Sequence, residues 1–252
     1  MDDAGPSYWE SFELLKILDL EDFGVKTLSE TIGTLSELIY LGLRNNYIQE
    51  IPHSLRGLKR LETLDIALNF MLEVSDIIRK MANLRKLESL AYTSIYDWAY
   101  EMMASLKKLG FEEVDENLDV GKNFAKLKKY RVLDHLILKG YRFRSVSCLD
   151  EIVALHRLKA IKLDGRLSSL PSADHFPPRI RYLSLVNTCL DEDPMPVLKK
   201  LPHLVRLKLR NAYISREMVI QHNGLRSLKV LRIGELWNLR NLHVREGEMS
   251  KH

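Results

Sequence analysis

The sequence predicts an α/β solenoid, a curved horseshoe with a parallel β-sheet on its concave face and short helices and loops on its convex face. Two observations support this prediction: the pattern LxxLxL recurs along the chain, and its spacing is regular. Successive matches lie 19 to 27 residues apart, and leucine-rich repeats span roughly 20–29 residues. The ten opening residues are Leu15, Leu38, Leu61, Leu87, Leu106, Leu133, Leu158, Ile180, Leu204 and Leu228.

Each repeat is predicted to form one strand and one return segment. The last positions of LxxLxL alternate as in a β-strand, so Leu18 and Leu20 point into the core while Asp19 faces solvent. One repeat cannot bury its own leucines, but stacked repeats share a continuous core. Short helical turns are predicted in the return segments at Ser29–Leu35, Ser54–Leu58 and Asp76–Met81.

The predicted domain organisation is an N-terminal extension or partial cap at 1–11, followed by a leucine-rich-repeat domain at 12–252. The domain has about ten repeats and is irregular at 93–130, where either a distorted continuous repeat or an insertion on the convex side fits the sequence. Phe12 and Trp237 are predicted to leave the two ends of the array incompletely covered. Exposed apolar ends and strand edges favour association of the isolated chain.

The composition excludes several classes of protein. Apolar residues make up 46% of the chain, yet none of their runs reaches the roughly 18 residues of a membrane-spanning helix. The N-terminus has no secretory signal pattern. Cys148 and Cys189 form no CxxC pair, and the sequence has no Asn-x-Ser/Thr glycosylation motif. We therefore expect a cytoplasmic protein, with the nucleus or the plasma-membrane surface reached only through partners.

Charge is distributed unequally between the two halves of the chain. Residues 1–126 hold 14 Lys/Arg and 22 Asp/Glu, and residues 127–252 hold 24 and 12. A protein-binding role is the favoured interpretation of the basic half, ahead of a merely solvated face or a nucleic-acid site, because few aromatic side chains interleave with the cations. The candidate concave binding surface comprises Asp19, Glu21, Tyr40, Arg44, Asp65, His135, Lys139, Tyr141, Lys162, Tyr182, Arg206, Lys208, Arg210, Tyr213 and Arg232.

The sequence contains no recognisable catalytic, cofactor or metal motif. Its eight histidines lack the spacing of metal ligands. The acidic run Asp191–Asp193 lacks the spaced oxygens and the glycine of a calcium loop and is interpreted as a turn. Neither GxSxG nor HExxH occurs. We therefore expect no catalytic residues, no cofactor and no enzymatic activity.

Three stretches resemble one protein family in residues beyond the leucines of the repeat pattern: Leu15–Ser89, Phe176–Leu209 and Leu228–Met249. The second contains the block Asp193-Pro194-Met195-Pro196, and the third ends in Glu246-Gly247-Glu248-Met249. Together they resemble the leucine-rich-repeat domain of plant nucleotide-binding, leucine-rich-repeat disease-resistance proteins, most closely the coiled-coil type. The resemblance covers about 15–252.

The resemblance implies a repeat domain that restrains a nucleotide-binding switch and helps to recognise a pathogen effector or a guarded host protein. The sequence departs from the family because it has no phosphate loop of the form GxxxxGKS or GxxxxGKT. ATP binding is therefore not carried over, and a fragment or truncated gene product is expected. The alternative is a free-standing adaptor, such as a ubiquitin-ligase substrate receptor, although about eleven residues before Phe12 are too few for an F-box module.

Overall fold

A computed structural model describes residues 9–69, 77–91, 106–112, 132–143, 151–221 and 224–245. The chain divides into two compact units. Unit 1 comprises Met1–Glu113 and Tyr130–Leu133, and unit 2 comprises Val114–Lys129 and Asp134–His252. Each unit is built on parallel β-strands that follow one another in chain order.

Unit 1 contains five parallel strands: β1 (Ile17–Asp19), β2 (Tyr40–Gly42), β3 (Thr63–Asp65), β4 (Lys86–Ala91) and β5 (Lys108–Glu112). We call the second leucine of each LxxLxL pattern the central leucine. The central leucines are in register: Leu18 is paired with Leu41, Leu41 with Leu64, Leu64 with Leu87 and Leu87 with Leu109. From Leu41 to Leu109 these leucines are completely buried. The predicted core positions are therefore confirmed from β2 to β5.

In the fourth repeat, the predicted register is wrong by three residues. Leu64 of β3 pairs with Leu87, so the repeat opens at Leu84 and not at Leu87. Leu84, Leu87 and Leu90 are equally spaced, and the local pattern therefore allows two frames. Hydrogen bonding to β3 selects one of them, and the spacing of the repeats becomes more even as a result.

A short 3-10 turn precedes β1, at Trp9–Ser11. Further 3-10 turns lie between strands of unit 1, at Glu30–Thr34, His53–Gly57 and Ile78–Lys80. The predicted helical turns at Ser29–Leu35 and Ser54–Leu58 are confirmed; of the third, residues 77–81 are described and contain a 3-10 turn, whereas Asp76 lies outside the described residues. The turns stack closely: a Cβ added to Gly33 would lie 2.3 Å from the main-chain oxygen of Ser54. Glycine is therefore required where one return segment crosses the next.

Unit 2 contains five parallel strands in its main sheet: β6 (His135–Phe143), β7 (Ala160–Leu167), β8 (Tyr182–Val186), β9 (Arg206–Arg210) and β11 (Val230–Gly234). The return segments include 3-10 turns at Glu151–Ala154 and Ala173–His175 and one α-helical turn at Met195–Leu198. Two further strands, β10 (Glu217–Gln221) and β12 (Asn241–Arg245), pair in parallel as a separate sheet. Sequence analysis did not predict this second sheet.

A left-handed residue follows six of the strands at the same position, four residues after the central leucine. The residues with positive φ at this position are Asp22, Asn45, Leu68, Asn187, Asn211 and Glu235, with φ between 45° and 60°. Asn and Asp tolerate this conformation because their short side chains bond locally. The turn directs the chain out of the sheet and towards the return segment, so the strand alternation ends there.

Buried asparagines hold the turns of unit 1 together. Asn46 Nδ2 donates to the main-chain oxygens of Leu20 and Leu43, at 2.8 and 2.9 Å, and Asn69 Nδ2 donates to Leu43 and Ile66 at 2.8 and 2.9 Å. Each side chain therefore satisfies carbonyl groups that the turn leaves without strand partners. Sequence analysis, which followed the leucines, did not identify this role.

Apolar side chains are exposed near both ends of the described residues, as the sequence predicted. Phe12 is 50% exposed and Trp237 is 84% exposed, while Leu242 and Val244 on β12 are 49% and 69% exposed. Cys189 is a free thiol, and Cys148 lies outside the described residues. Of the irregular stretch 93–130, residues 106–112 are described and contain β5; the rest, including the insertion considered there, lies outside the described residues.

Candidate protein-binding surface

The strands present their solvent-facing side chains in columns. Strand alternation directs residues one before, one after and three after a central leucine away from the core, although Ala67 and Val186 at the last of these positions are buried. Pairing places equivalent residues side by side. In unit 2, for example, Lys162 is in register with Ser184, Ser184 with Lys208, and Lys208 with Arg232. Neighbouring strands are about 4.8 Å apart, so residues distant in sequence form one surface.

On the face formed by β1 to β3 in unit 1, Arg44 lies between two carboxylates. The Arg44 guanidinium lies 3.1 Å from Asp65 Oδ2 through Nη2 and 3.8 Å from Glu21 Oε1 through Nε. Asp19 and Glu21 are exposed, whereas Arg44 is half-buried. We call Asp19, Glu21, Tyr40 and Arg44 the acidic face; its exposed charges are carboxylates.

Asp65 does not belong to the accessible surface, which corrects the prediction. The residue is 7% exposed, and its second oxygen accepts the main-chain N–H of Ala67 at 3.1 Å. Its carboxylate stabilises Arg44 and the turn after β3, because a buried charge must be paired. Asp65 therefore supports the surface from within and is not offered to a partner.

Asp19 and Tyr40 lie together over Gly42. A Cβ at Gly42 would be 2.3 Å from Asp19 Oδ1 and 2.8 Å from the Tyr40 hydroxyl. The space that a side chain on β2 would occupy is thus filled from two neighbouring positions. The absence of a side chain at Gly42 allows a carboxylate and a phenol to meet on the acidic face.

The face of unit 2 is basic, with two of its cations neutralised. Lys162 Nζ lies 3.0 Å from Asp164, and Arg210 Nη2 lies 2.8 Å from Glu235. The hydrogen bond from Arg210, with the positive charges of Arg210 and Lys208, lowers the pKa of the Glu235 carboxyl below its usual value. Glu235 is therefore ionised at neutral pH, and it compensates Arg210 directly.

Arg206 and Tyr182 form a stacked pair at the same face. The Arg206 guanidinium carbon lies 5.4 Å from the centroid of the Tyr182 ring, within the range of a cation–π interaction. The two residues are in register across β8 and β9. Sequence analysis predicted both as surface residues but did not predict that one would cover the other.

Three residues of the predicted binding surface lie on β6: His135, Lys139 and Tyr141. His135 Nδ1 is hydrogen-bonded to Asp134, which also lies 3.6 Å from Lys159 Nζ. Lys139 is half-buried and in register with Asp164. Tyr141 lies on β6, but its side chain is outside the described part of the structure. The structure thus brings His135 and Lys139 to the face of unit 2.

Tyr213 is not a surface anchor, which corrects a second prediction. It is 4% exposed, and its hydroxyl donates to the main-chain oxygen of Glu217 at 2.8 Å. Tyr213 lies beyond the left-handed residue Asn211, so the alternation of β9 no longer applies to it. Its ring packs in the return segment that leads to β10.

Other features of the described residues define no chemical site. No cluster of three or more His, Cys, Asp or Glu that could hold a metal occurs in the described ranges. A cavity of about 90 Å³ between the Met195–Leu198 turn and β10 includes Asp193 and is smaller than the roughly 300–1,000 Å³ typical of small-molecule sites. Burial raises the pKa of the Asp193 carboxyl, opposed by the hydrogen bond from the Met195 main-chain N–H. None of the helices in the described ranges has the length and apolarity needed to cross a membrane.

Parallel strands in register, leucine cores and stacked return segments define a leucine-rich-repeat solenoid, a class that typically serves as a non-catalytic interaction scaffold. A family model described as "Leucine-rich repeat region" matches residues 4–248, and the chain belongs to this family. In the RP105/MD-1 complex from mouse, one chain shares the fold, with a TM-score of 0.54 and 17% identity over 92% of this chain and 44% of that one.

The similar curated proteins are plant disease-resistance proteins, in agreement with the resemblance drawn from the sequence. Disease resistance RPP8-like protein 3 of Arabidopsis thaliana is 30% identical over 96% of this chain. Disease resistance protein RPP8 of the same plant is 29% identical over 96% of this chain. The chain spans about 30% of the length of either relative, so the activities of the whole relatives are not transferred with the similarity.

Proposed function

We propose that this chain is a non-catalytic protein-recognition scaffold, the repeat domain of an intracellular plant immune receptor that acts in the cytoplasm. The observation that supports the proposal is a pair of charged surfaces: the acidic face beside β1 and β2 in unit 1, with Asp19 and Glu21 exposed, and the basic strand face of unit 2. Both faces consist of side chains on hydrogen-bonded strands, several of which are also fixed by ion pairs. A rigid binding surface loses little conformational entropy when a partner docks.

The acidic face of unit 1 is proposed to dock the nucleotide-binding switch and to restrain it. Asp19 and Glu21 are exposed, and Arg44 is held between Glu21 and Asp65. A docking surface with exposed carboxylates steers a basic partner towards the face and weakens as salt rises. Restraint then requires only that the switch binds the face more tightly in its resting state.

The basic face of unit 2 is proposed to recognise the effector or the guarded host protein. Its exposed cations lie on β9 and β11, and Tyr182 contributes an aromatic ring beside them. Arginine and tyrosine are the residue types that dominate binding energy at many protein interfaces. Docking of the switch and recognition of the effector or host protein are thereby assigned to surfaces of opposite charge.

Docking to the switch can be tested by a pull-down with the nucleotide-binding domain of a related disease-resistance protein, supplied as a separate polypeptide. The variant carries Asp19→Lys and Glu21→Lys on the acidic face. The control carries Glu50→Lys, an exposed residue of a return segment. Asp65 is left unchanged because its burial would make a reversed charge disrupt the fold.

The proposal expects salt-sensitive binding by the parent chain, a loss of about tenfold or more in the double variant, and little change in the control. Circular dichroism verifies that all three chains are folded. Equal binding by the double variant and the control would exclude the acidic face as the docking surface. No binding by the folded parent chain would remove the proposed restraint of the switch.

A further inference from the structure

Three cations lie close together on the face of unit 2. We call them the basic cluster; they are Arg206, Lys208 and Arg232. Lys208 and Arg232 are in register across β9 and β11, so their main chains lie about 4.8 Å apart. Arg206 and Lys208 flank a buried leucine on β9 and share one face, about 6.8 Å apart along the strand. The cluster therefore concentrates three positive charges in an area the size of a few ligand residues.

The neighbouring carboxylates do not neutralise the basic cluster. Asp164 pairs with Lys162, and Glu235 pairs with Arg210. Among the described residues, no carboxylate lies within the 4.0 Å of an ion pair from Arg206, Lys208 or Arg232. The intramolecular pairs thus leave a net positive charge on this part of the face, which attracts an anionic group.

Tyr182 prepares Arg206 to bind a carboxylate. The cation–π contact, 5.4 Å from the guanidinium carbon to the ring centroid, restricts the positions that the Arg206 side chain adopts. A guanidinium in a fixed orientation can donate two parallel hydrogen bonds to one carboxylate. One face of Tyr182 is covered by the same contact, so it is not offered to a nucleic-acid base.

Beside the basic cluster, no neighbouring atom covers the main chain at Gly234; we call this uncovered main chain the Gly234 ledge. A Cβ added at Gly234 would meet nothing within 4 Å, and the residue is in register with Arg210 at the end of β11. Its backbone does not adopt positive φ, so the conformation does not require glycine. At Gly42, in a different column of the acidic face, a Cβ would instead collide with Asp19 and Tyr40. The main chain at Gly234 is therefore open to the main chain of a ligand.

We propose that the basic cluster and the Gly234 ledge bind an acidic segment of a partner protein, with its carboxylates on Arg206, Lys208 and Arg232 and its main chain over Gly234. This inference rests on the proposed recognition function and names the chemistry of the ligand. An extended segment advances about 3.4 Å per residue, so carboxylates two residues apart span the distance between Arg206 and Lys208. The ledge lets the segment approach the sheet closely enough for direct ion pairs.

The test uses fluorescence anisotropy with a fluorescein-labelled twelve-residue peptide of alternating glutamate and glycine. Two variants of the whole chain address the two parts of the site: Arg232→Glu reverses one charge, and Gly234→Leu fills the ledge without changing charge. The matched control is Arg226→Glu, which makes the same charge change at an exposed residue outside the face. A twelve-nucleotide single-stranded RNA serves as the competing polyanion.

The proposal expects Arg232→Glu and Gly234→Leu each to weaken peptide binding by about tenfold, and Arg226→Glu to change it less than about twofold. Circular dichroism at matched concentration verifies folding, and the exposure of Arg232 makes that variant tolerable. Equal effects of Arg232→Glu and Arg226→Glu would show non-specific charge attraction and overturn the site. Tighter binding of the RNA than of the peptide would overturn the choice of ligand.

Failure of this inference is distinguishable from failure of the proposed function. The switch-docking experiment depends on Asp19 and Glu21 in unit 1, and the peptide experiment depends on Arg232 and Gly234 in unit 2. If the folded chain does not bind the peptide but still docks the switch domain, the assignment of an acidic ligand is wrong while the docking function stands.

Discussion

The substitution Asn69→Ala tests whether the buried asparagines hold the turns of unit 1. Asn69 Nδ2 donates to Leu43 and Ile66, and its Oδ1 accepts the Ile48 main-chain N–H at 3.2 Å. Alanine removes these three hydrogen bonds and a fourth, longer one from Nδ2 to the Ala67 main-chain oxygen at 3.4 Å. The Leu43 carbonyl keeps the bond from Asn46, so two main-chain groups, the Ile48 N–H and the Ile66 carbonyl, lose this partner.

A buried polar group left without a partner costs about 1–3 kcal/mol, so we expect Asn69→Ala, which leaves two such groups, to lower the free energy of unfolding by about 2–6 kcal/mol. The measurement is urea unfolding followed by far-ultraviolet circular dichroism, with hydrogen exchange of the Ile48 amide as a local readout. The control Asn83→Ala removes one exposed side-chain hydrogen bond, to Lys59, and should cost less than about 1 kcal/mol. A loss below about 1 kcal/mol for Asn69→Ala, with unchanged exchange at Ile48, would refute the reasoning.

Three further substitutions test the turns and a buried carboxyl. Leu68 has φ of 60°, so Leu68→Asn should raise the melting temperature by stabilising the fold about 0.5–1 kcal/mol. Gly33→Ala brings a Cβ within 2.3 Å of the Ser54 oxygen and should destabilise by about 1–3 kcal/mol in urea unfolding. Burial raises the pKa of Asp193, so its ionisation in the folded chain lowers stability as pH rises through that pKa. Asp193→Asn keeps an acceptor for the Met195 N–H; its melting temperature should therefore exceed that of the parent chain at pH 7 and lose this advantage below the unfolded pKa.

Each of these three expectations has a contrary result. A lower melting temperature for Leu68→Asn would mean that the half-buried leucine contributes more by packing than its backbone conformation costs. Unchanged stability of Gly33→Ala would show that the stacked turns separate easily. A constant difference between Asp193→Asn and the parent chain across pH would exclude burial of the carboxylate as its cause.

The residues that could be predicted for the site are those whose position follows from strand alternation alone. Arg206, Lys208 and Arg232 stand beside a central leucine, and each faces solvent as the pattern required. Asp65 obeys the same alternation, yet it is buried because Arg44 of the neighbouring strand covers its carboxylate. That contact joins residues 21 positions apart, so no pattern within one repeat could reveal it.

The sequence by itself determined the class of fold and the register of nine of its ten predicted strands, because the LxxLxL pattern is a local signal repeated ten times. Only the tertiary structure decided the frame of the fourth repeat, since Leu84, Leu87 and Leu90 satisfy the local pattern in two ways and hydrogen bonds to β3 select one. The pairing of β10 with β12 was likewise decided in three dimensions. The same holds for the open ledge at Gly234. In each case the deciding interaction comes from a neighbouring repeat, and the chain places that neighbour only when the solenoid is stacked.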